Sequence, residues 1–289
     1  MIRRLILVAG LIGVAGALSA CSALNTLDAL TPEDGYSRTV GVPFGAHSRQ
    51  RLDVYRPAAA PGRAPVLVFF YGGGWREGDR ASYRFVGQSF ASAGYVTVVA
   101  DYRLWPEVRF PAFVEDGAAA VAWVQRHIAS EGGDPNRIFL MGHSAGAHLV
   151  AMLHADRAYL DQAGFKRPAD GASGIAGTIG IAGPYDFRPS PGGRFADILA
   201  AGGPRPYMPI DLIEGREGPL MLVHGEIDAV VGVINARRLA ERVREKGGHV
   251  DLVTYGALGH GPIVAALATP LTWLGGVRDD ILAWMRARG

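Results

Sequence analysis

The pentapeptide Gly142-His143-Ser144-Ala145-Gly146 follows an apolar run, Arg137-Ile138-Phe139-Leu140-Met141, and leads into an apolar helical pattern through His148, Leu149, Val150 and Met152. That places a serine in a G-x-S-x-G turn between a strand and a helix. A hydroxyl is a poor nucleophile, so it needs exposure, a base within reach and donors for a developing oxyanion. A tight strand-to-helix turn provides all three. A glycine-rich loop with a chance serine is the bland alternative, and partners elsewhere in the chain decide between the two.

Three segments offer those partners. Val66 to Tyr71 runs into Gly72-Gly73-Gly74-Trp75, where glycines let the backbone turn close to a reacting carbonyl and aim its amides inward. The amides of Gly73, Gly74 and Ala145 are the candidate oxyanion donors; a purely structural glycine turn is the alternative. Leu220-Met221-Leu222-Val223-His224-Gly225-Glu226-Ile227-Asp228 places two carboxylates in a loop after a strand. Asp228 is preferred to Glu226 as the acid that orients a histidine, against the alternative that it only caps the following helical region. His260, in Gly256-Ala257-Leu258-Gly259-His260-Gly261, is the candidate general base. Trp75 and Tyr185 are candidates for lining a substrate pocket or for the core. His47, His127, His143, His148, His154, His224 and His249 lack a catalytic pattern. No H-E-x-x-H or clustered ligand spacing occurs, so neither a metal nor another cofactor is expected.

The elements that must hold these residues are legible in outline. Val66–Phe70, Val96–Ala100, Thr178–Ile181 and Leu220–Val223 are continuous apolar runs, the mark of parallel strands buried on both faces. Arg51–Tyr55 alternates like a half-exposed strand, and Val250–Thr254 reads as a later one. Helical patterns at Tyr83–Ala93, Phe113–Ile128, Asn235–Lys246 and Val277–Arg286 lie among them. Alternating strands and helices imply a doubly wound, mostly parallel α/β sheet flanked by helices, with its ligand at the carboxyl ends of the strands. Between Pro184 and Gly218 the pattern breaks into Pro and Gly, as a lid or pocket wall would.

Met1-Ile2-Arg3-Arg4 precedes an uncharged stretch from Leu5 to Leu27, the pattern of an export signal. Leu18-Ser19-Ala20-Cys21 resembles the lipobox of bacterial lipoproteins, in which the cysteine is lipidated and becomes N-terminal. The chain holds 1 cysteine, Cys21 itself, so an intramolecular disulfide is excluded. An uncleaved membrane anchor and ordinary secretion are the alternatives. The expected organisation is a signal peptide over 1–20, a tether over 21–36 and one domain over 37–289. In the lipoprotein resemblance, Ser22 favours sorting to the outer membrane. Acidic residues number 27 against 29 basic ones, of which Arg3 and Arg4 lie in the signal. That balance and the lack of a reading motif exclude a nucleic-acid partner.

Taken together, the chain resembles the α/β-hydrolases, and within them the carboxylesterase branch related to hormone-sensitive lipase and the bacterial feruloyl and acetyl-xylan esterases. Besides the elbow, the resemblance rests on Asp101-Tyr102-Arg103-Leu104-Trp105-Pro106-Glu107, Phe110-Pro111-Ala112, Glu115-Asp116 and Gly133-Asp134-Pro135-Asn136-Arg137-Ile138. The order Ser144, Asp228, His260 matches that fold. Tyr71 departs from the pattern, standing where the branch usually has a histidine that supports the loop. The resemblance implies a serine carboxylic-ester hydrolase acting through an acyl-enzyme. The segment before the first strands is short and lacks a strong helical pattern, which argues against a large N-terminal cap and favours an accessible pocket for short or polymer-borne acyl esters. An amidase of the arylformamidase type or a peptidase would use the same residues. A binding protein that kept the fold and lost the chemistry is the reading outside enzymes.

Overall fold

The continuous apolar runs form the middle of an eight-stranded sheet. The computed structural model describes residues 26–59, 62–167, 174–193, 195–199 and 206–288. Cys21 and the export segment therefore lie outside the described residues. The strands are β1 (Tyr36–Pro43), β2 (Arg51–Pro57), β3 (Ala64–Phe70), β4 (Val96–Ala100), β5 (Gly133–His143), β6 (Ile175–Ile181), β7 (Leu220–Gly225) and β8 (Val250–Tyr255). They lie in the order β1-β2-β4-β3-β5-β6-β7-β8. From β4 to β8 every pairing is parallel, and β2 runs antiparallel to both of its neighbours.

Helices cover the sheet: α1 (Arg84–Ala91), α2 (Ala112–His127), α3 (Ala145–Ala155), α4 (Ala158–Gln162), α5 (Ala196–Leu199), α6 (Ile234–Glu245), α7 (His260–Ala265) and α8 (Val277–Arg286). Every residue of β4 and β7 is buried, which requires cover on both faces. Each large apolar side chain removed from water there contributes roughly 1.5–3 kcal/mol. Gly117 lets α2 press on α3, since a Cβ at that position would lie 2.4 Å from Leu149. Arg278 at the start of α8 donates to Ser89 Oγ of α1 at 2.7 Å, joining two helices remote in the chain.

β1 is the strand the sequence pattern does not reveal. Its residues are largely exposed and show no apolar alternation, so only pairing with β2 makes it a strand. The described part of the segment read as a tether is seated on the domain: Leu27 packs against the core, and Arg84 Nε donates to Asp28 Oδ2 at 3.2 Å.

Candidate active site

Three strands deliver their carboxyl ends to one place. β5 ends at His143 and α3 begins at Ala145, so Ser144 alone makes the turn, with φ 55° and ψ −117°. A non-glycine residue held there is strained, and the surroundings must enforce it. They do so by crowding. A Cβ on Gly142 would lie 2.1 Å from Gly146 O, and one on Gly146 would lie 2.1 Å from Phe70 O. The Ser144 amide is tied to Ile181 O of β6 at 2.9 Å.

The loop after β7 brings in the carboxylate. Asp228 Oδ1 accepts from the amides of Val230 and Val231, each at 2.9 Å. Its Oδ2 accepts from His260 Nδ1 at 2.8 Å, and Ser144 Oγ lies 2.9 Å from His260 Nε2. Burial by itself would raise the Asp228 pKa. Hydrogen-bonding contacts with His224 and His260 and the Val231 amide outweigh it, holding the carboxyl well below the usual range. Asp228 is therefore ionised wherever the imidazole could need it. Glu226, the rejected carboxylate, points elsewhere: both its oxygens lie 2.7 Å from Arg237 Nη2.

The glycine loop after β3 abuts the serine. A Cβ on Gly72 would come within 3.0 Å of the Ser144 Cβ. Gly73 and Gly74 have φ of 122° and 58°, conformations that favour glycine. Gly73 also closes the turn with its carbonyl, which accepts from Arg76 N at 3.1 Å. Ala145 is the first residue of α3, so its amide has no acceptor within the helix. The arrangement sets the loop of Gly73 and Gly74 and the first amide of α3 beside a serine hydrogen-bonded to a histidine, the layout acyl transfer requires.

The two pocket candidates fare differently. Tyr185 is fully buried in the core with Leu220, Leu222 and Leu239. It lines no pocket, because its ring fills the space that Gly180 and Gly183 leave empty. Trp75 does border the glycine loop, yet at 2 % exposure it is a packed support. Its ring meets His148 edge-on at 5.1 Å and Phe195 at 5.9 Å. Phe195 belongs to the Pro- and Gly-rich segment, which also accepts from Phe110 N through Ile198 O at 2.9 Å. Phe195 and Ile198 thus set this stretch of the segment beside the loop. Two open clefts, of about 460 and 380 Å³, lie at the opposite ends of the strands, around Gln125 and Lys166 and around Arg56 and Glu131.

Two site residues escape sequence reasoning. His143 Nε2 donates to His260 O at 3.1 Å, with the ring centroids 4.8 Å apart. Burial, then the neighbouring His260, pushes the His143 pKa down to about 3, so its ring is neutral. Its place inside the elbow was the one available signal. His224 lies beneath the acid, with Nε2 donating to Val231 O at 2.8 Å and 3.5 Å from Asp228 Oδ2. Among the described residues no group of His, Cys, Asp and Glu could hold a metal ion.

A mostly parallel sheet with a serine on the turn after β5 and an acid and histidine after β7 and β8 defines an α/β-hydrolase. More narrowly, the chain belongs to the BD-FAE family, whose profile matches residues 52–197. The match spans the glycine loop and the elbow and ends before Asp228. Over 235 residues the chain is 33 % identical to esterase LipC of Mycobacterium tuberculosis, covering 75 % of this chain and 58 % of that protein. It is 26 % identical over 235 residues to a probable isoprenylcysteine alpha-carbonyl methylesterase of Arabidopsis thaliana, with 73 % and 48 % covered. The chain thus spans about half the length of these relatives. Esterase B from Lactobacillus rhamnosis, solved with a tributyrin phosphonate inhibitor, superposes with a TM-score of 0.78 at 20 % identity, covering 96 % of this chain and 95 % of that one. A truncated carbohydrate esterase from gut microbiota gives 0.74 at 19 % identity, with 89 % and 98 % covered. These likenesses show the fold.

Proposed function

We propose that the protein is a serine carboxylic-ester hydrolase. The observation that carries this reading is the chain of contacts from Ser144 Oγ through His260 to Asp228, at 2.9 and 2.8 Å, on a strained elbow. Ser144 Oγ attacks the ester carbonyl while His260 Nε2 takes its proton. Asp228 holds Nδ1–H and stabilises the imidazolium. The amides of Gly73, Gly74 and Ala145 receive the oxyanion. Collapse expels the alcohol, protonated by His260, and leaves Ser144 acylated. Water, deprotonated by the same histidine, then releases the acid. The names of the similar proteins, esterases and a methylesterase, support the same reaction.

The substrate class is a short or polymer-borne acyl ester; the loop that carries Asp228 also holds two exposed apolar residues, Ile227 and Val230. Hydrolysis of a p-nitrophenyl ester series, with Ser144→Ala and a matched anilide run in parallel, tests the reaction. Activity that survives in the variant would sink it; cleavage of the anilide alone would make the protein an amidase.

The protein is further proposed to be exported and held on a bacterial membrane, the outer one, by lipid on Cys21. The support is the uncharged stretch from Leu5 and the placement of the chain's 1 cysteine. Among the described residues no helix is long and apolar enough to cross a membrane. Radiolabelled palmitate incorporated into the wild type and lost in Cys21→Ser is the expected result; equal labelling of both would overturn the anchor.

A further inference from the structure

The glycine loop is held at both ends by one arginine. Tyr71 ends the strand run and precedes Gly72; Gly78 lies at the far end of the turn. Arg49, from the loop before β2, donates through Nη2 to Tyr71 Oη and to Gly78 O, each at 2.7 Å. Its Nε donates to Tyr102 O at 3.0 Å. The Tyr71 hydroxyl in turn donates to Asp101 Oδ1 at 2.9 Å. Tyr102 completes the circuit, donating through its hydroxyl to Tyr71 O at 2.9 Å with the two rings stacked 4.9 Å apart. Asp101 is itself fixed by the Arg80 amide at 2.7 Å.

Shape closes the same circuit. Gly78 has φ 104°, and a Cβ there would lie 2.8 Å from the Tyr71 ring, so the far end of the loop rests on the tyrosine. Both tyrosines are fully buried. Burial first, and the Asp101 charge second, push the Tyr71 pKa well up, so its phenol stays protonated and remains a donor to Asp101. A buried network with its partners satisfied rigidifies what it joins. What this one joins is the segment that abuts Ser144 and carries the candidate oxyanion donors Gly73 and Gly74.

We propose that Arg49 and Tyr71 are positioning residues for the oxyanion donors: Arg49 clasps the two ends of the Tyr71–Gly78 loop, and Tyr71 anchors that clasp to Asp101. Neither touches the reacting atoms. Preorganised donors work because they do not reorganise during reaction, so a loosened clasp weakens transition-state binding more than substrate binding. The inference rests on the esterase reading.

The test compares wild type with Tyr71→Phe, Arg49→Gln and Arg49→Lys. Four readouts are needed: kcat, KM, the inhibition constant of a trifluoromethyl ketone analogue of the ester, and the melting temperature. Phe removes the hydroxyl and both of its bonds; Gln removes the charge; Lys keeps the charge and one donor direction. The expected result is a kcat about 10- to 100-fold lower for Tyr71→Phe and Arg49→Gln, less than the full loss of an oxyanion donor. KM should stay within about twofold, analogue affinity should fall in step with kcat, and Arg49→Lys should recover part of both. Unchanged kcat and analogue affinity in folded variants would overturn the clasp, as would losses confined to KM or to melting temperature. If Gln or Phe fails to fold, the Lys variant carries the comparison alone. A wild type that cleaves no ester overturns the esterase reading instead, while an active wild type beside unchanged variants overturns only the clasp.

Discussion

His143 donates from Nε2 to the backbone carbonyl of His260 at 3.1 Å, so the residue preceding the candidate nucleophile holds the main chain of the candidate base. Ser144 and His260 are thereby joined twice, once through the reacting hydrogen bond and once through a neutral ring behind it. His143→Ala should lower kcat roughly tenfold with a smaller change in KM, since a base that wanders costs orientation more than affinity. Steady-state kinetics on a p-nitrophenyl ester check this, and an unchanged kcat would reduce His143 to packing.

Removing the reacting groups should cost far more. Ser144→Ala is expected to reduce kcat by about 10⁵- to 10⁶-fold, and Asp228→Asn by about 10⁴-fold through the wrong imidazole tautomer. Glu226→Gln should leave kcat within about twofold, because that carboxylate is bound to Arg237. A large loss at Glu226 together with little at Asp228 would reverse the assignment of the acid.

Crowding at the elbow predicts a stability difference between two glycines. In Gly146→Ala the new methyl would have to displace the backbone at Phe70 O, 2.1 Å away, which costs more than the roughly 1–3 kcal/mol usual for overpacking. Gly256→Ala meets nothing within 4 Å and should be nearly neutral. Urea denaturation of the two variants measures the difference, and equal midpoints would mean that the elbow can relax.

Asp116 is 1 % exposed and accepts from the backbone and side chain of Arg103 and from Gln50. Asp116→Ala leaves those donors without their acceptor, an expected loss of about 3–5 kcal/mol. The unfolding midpoint reports it. A loss below about 1 kcal/mol would show that solvent replaces the carboxylate.

Stability should also fall on mild acidification. Burial is the main cause depressing the His148 and His154 pKa values to about 4, and that of His143 to about 3. For each ring the unfolded chain, near 6.5, takes up its proton first. Their contribution is therefore constant above pH 6.5 and declines as pH drops from 6.5 toward 4, by up to about 1.4 kcal/mol per pH unit per ring. Asp228 adds its own loss only at lower pH, below its unfolded value near 3.8. His154→Gln, remote from the reacting groups, should flatten the decline; identical melting curves from pH 7 to 4.5 in both proteins would contradict the sign.

The amino-acid sequence by itself determined the strand core, the elbow and the order of the reacting residues. Val66–Phe70 and Leu220–Val223 are apolar enough to be buried on both faces, and Gly142 and Gly146 permit a turn that larger residues would block. Those are local properties, set by burial pattern and backbone freedom within a few residues. Tertiary structure decided what depends on distance between chain-remote groups. It brought His260 to Asp228 across 32 positions and to Ser144 across 116. It turned Glu226 toward Arg237, sank Tyr185 into the core, made a strand of polar β1, and led Arg49 to the loop after β3. Nothing local encodes such pairings, because the strand order that creates them is chosen by the packing of the whole sheet.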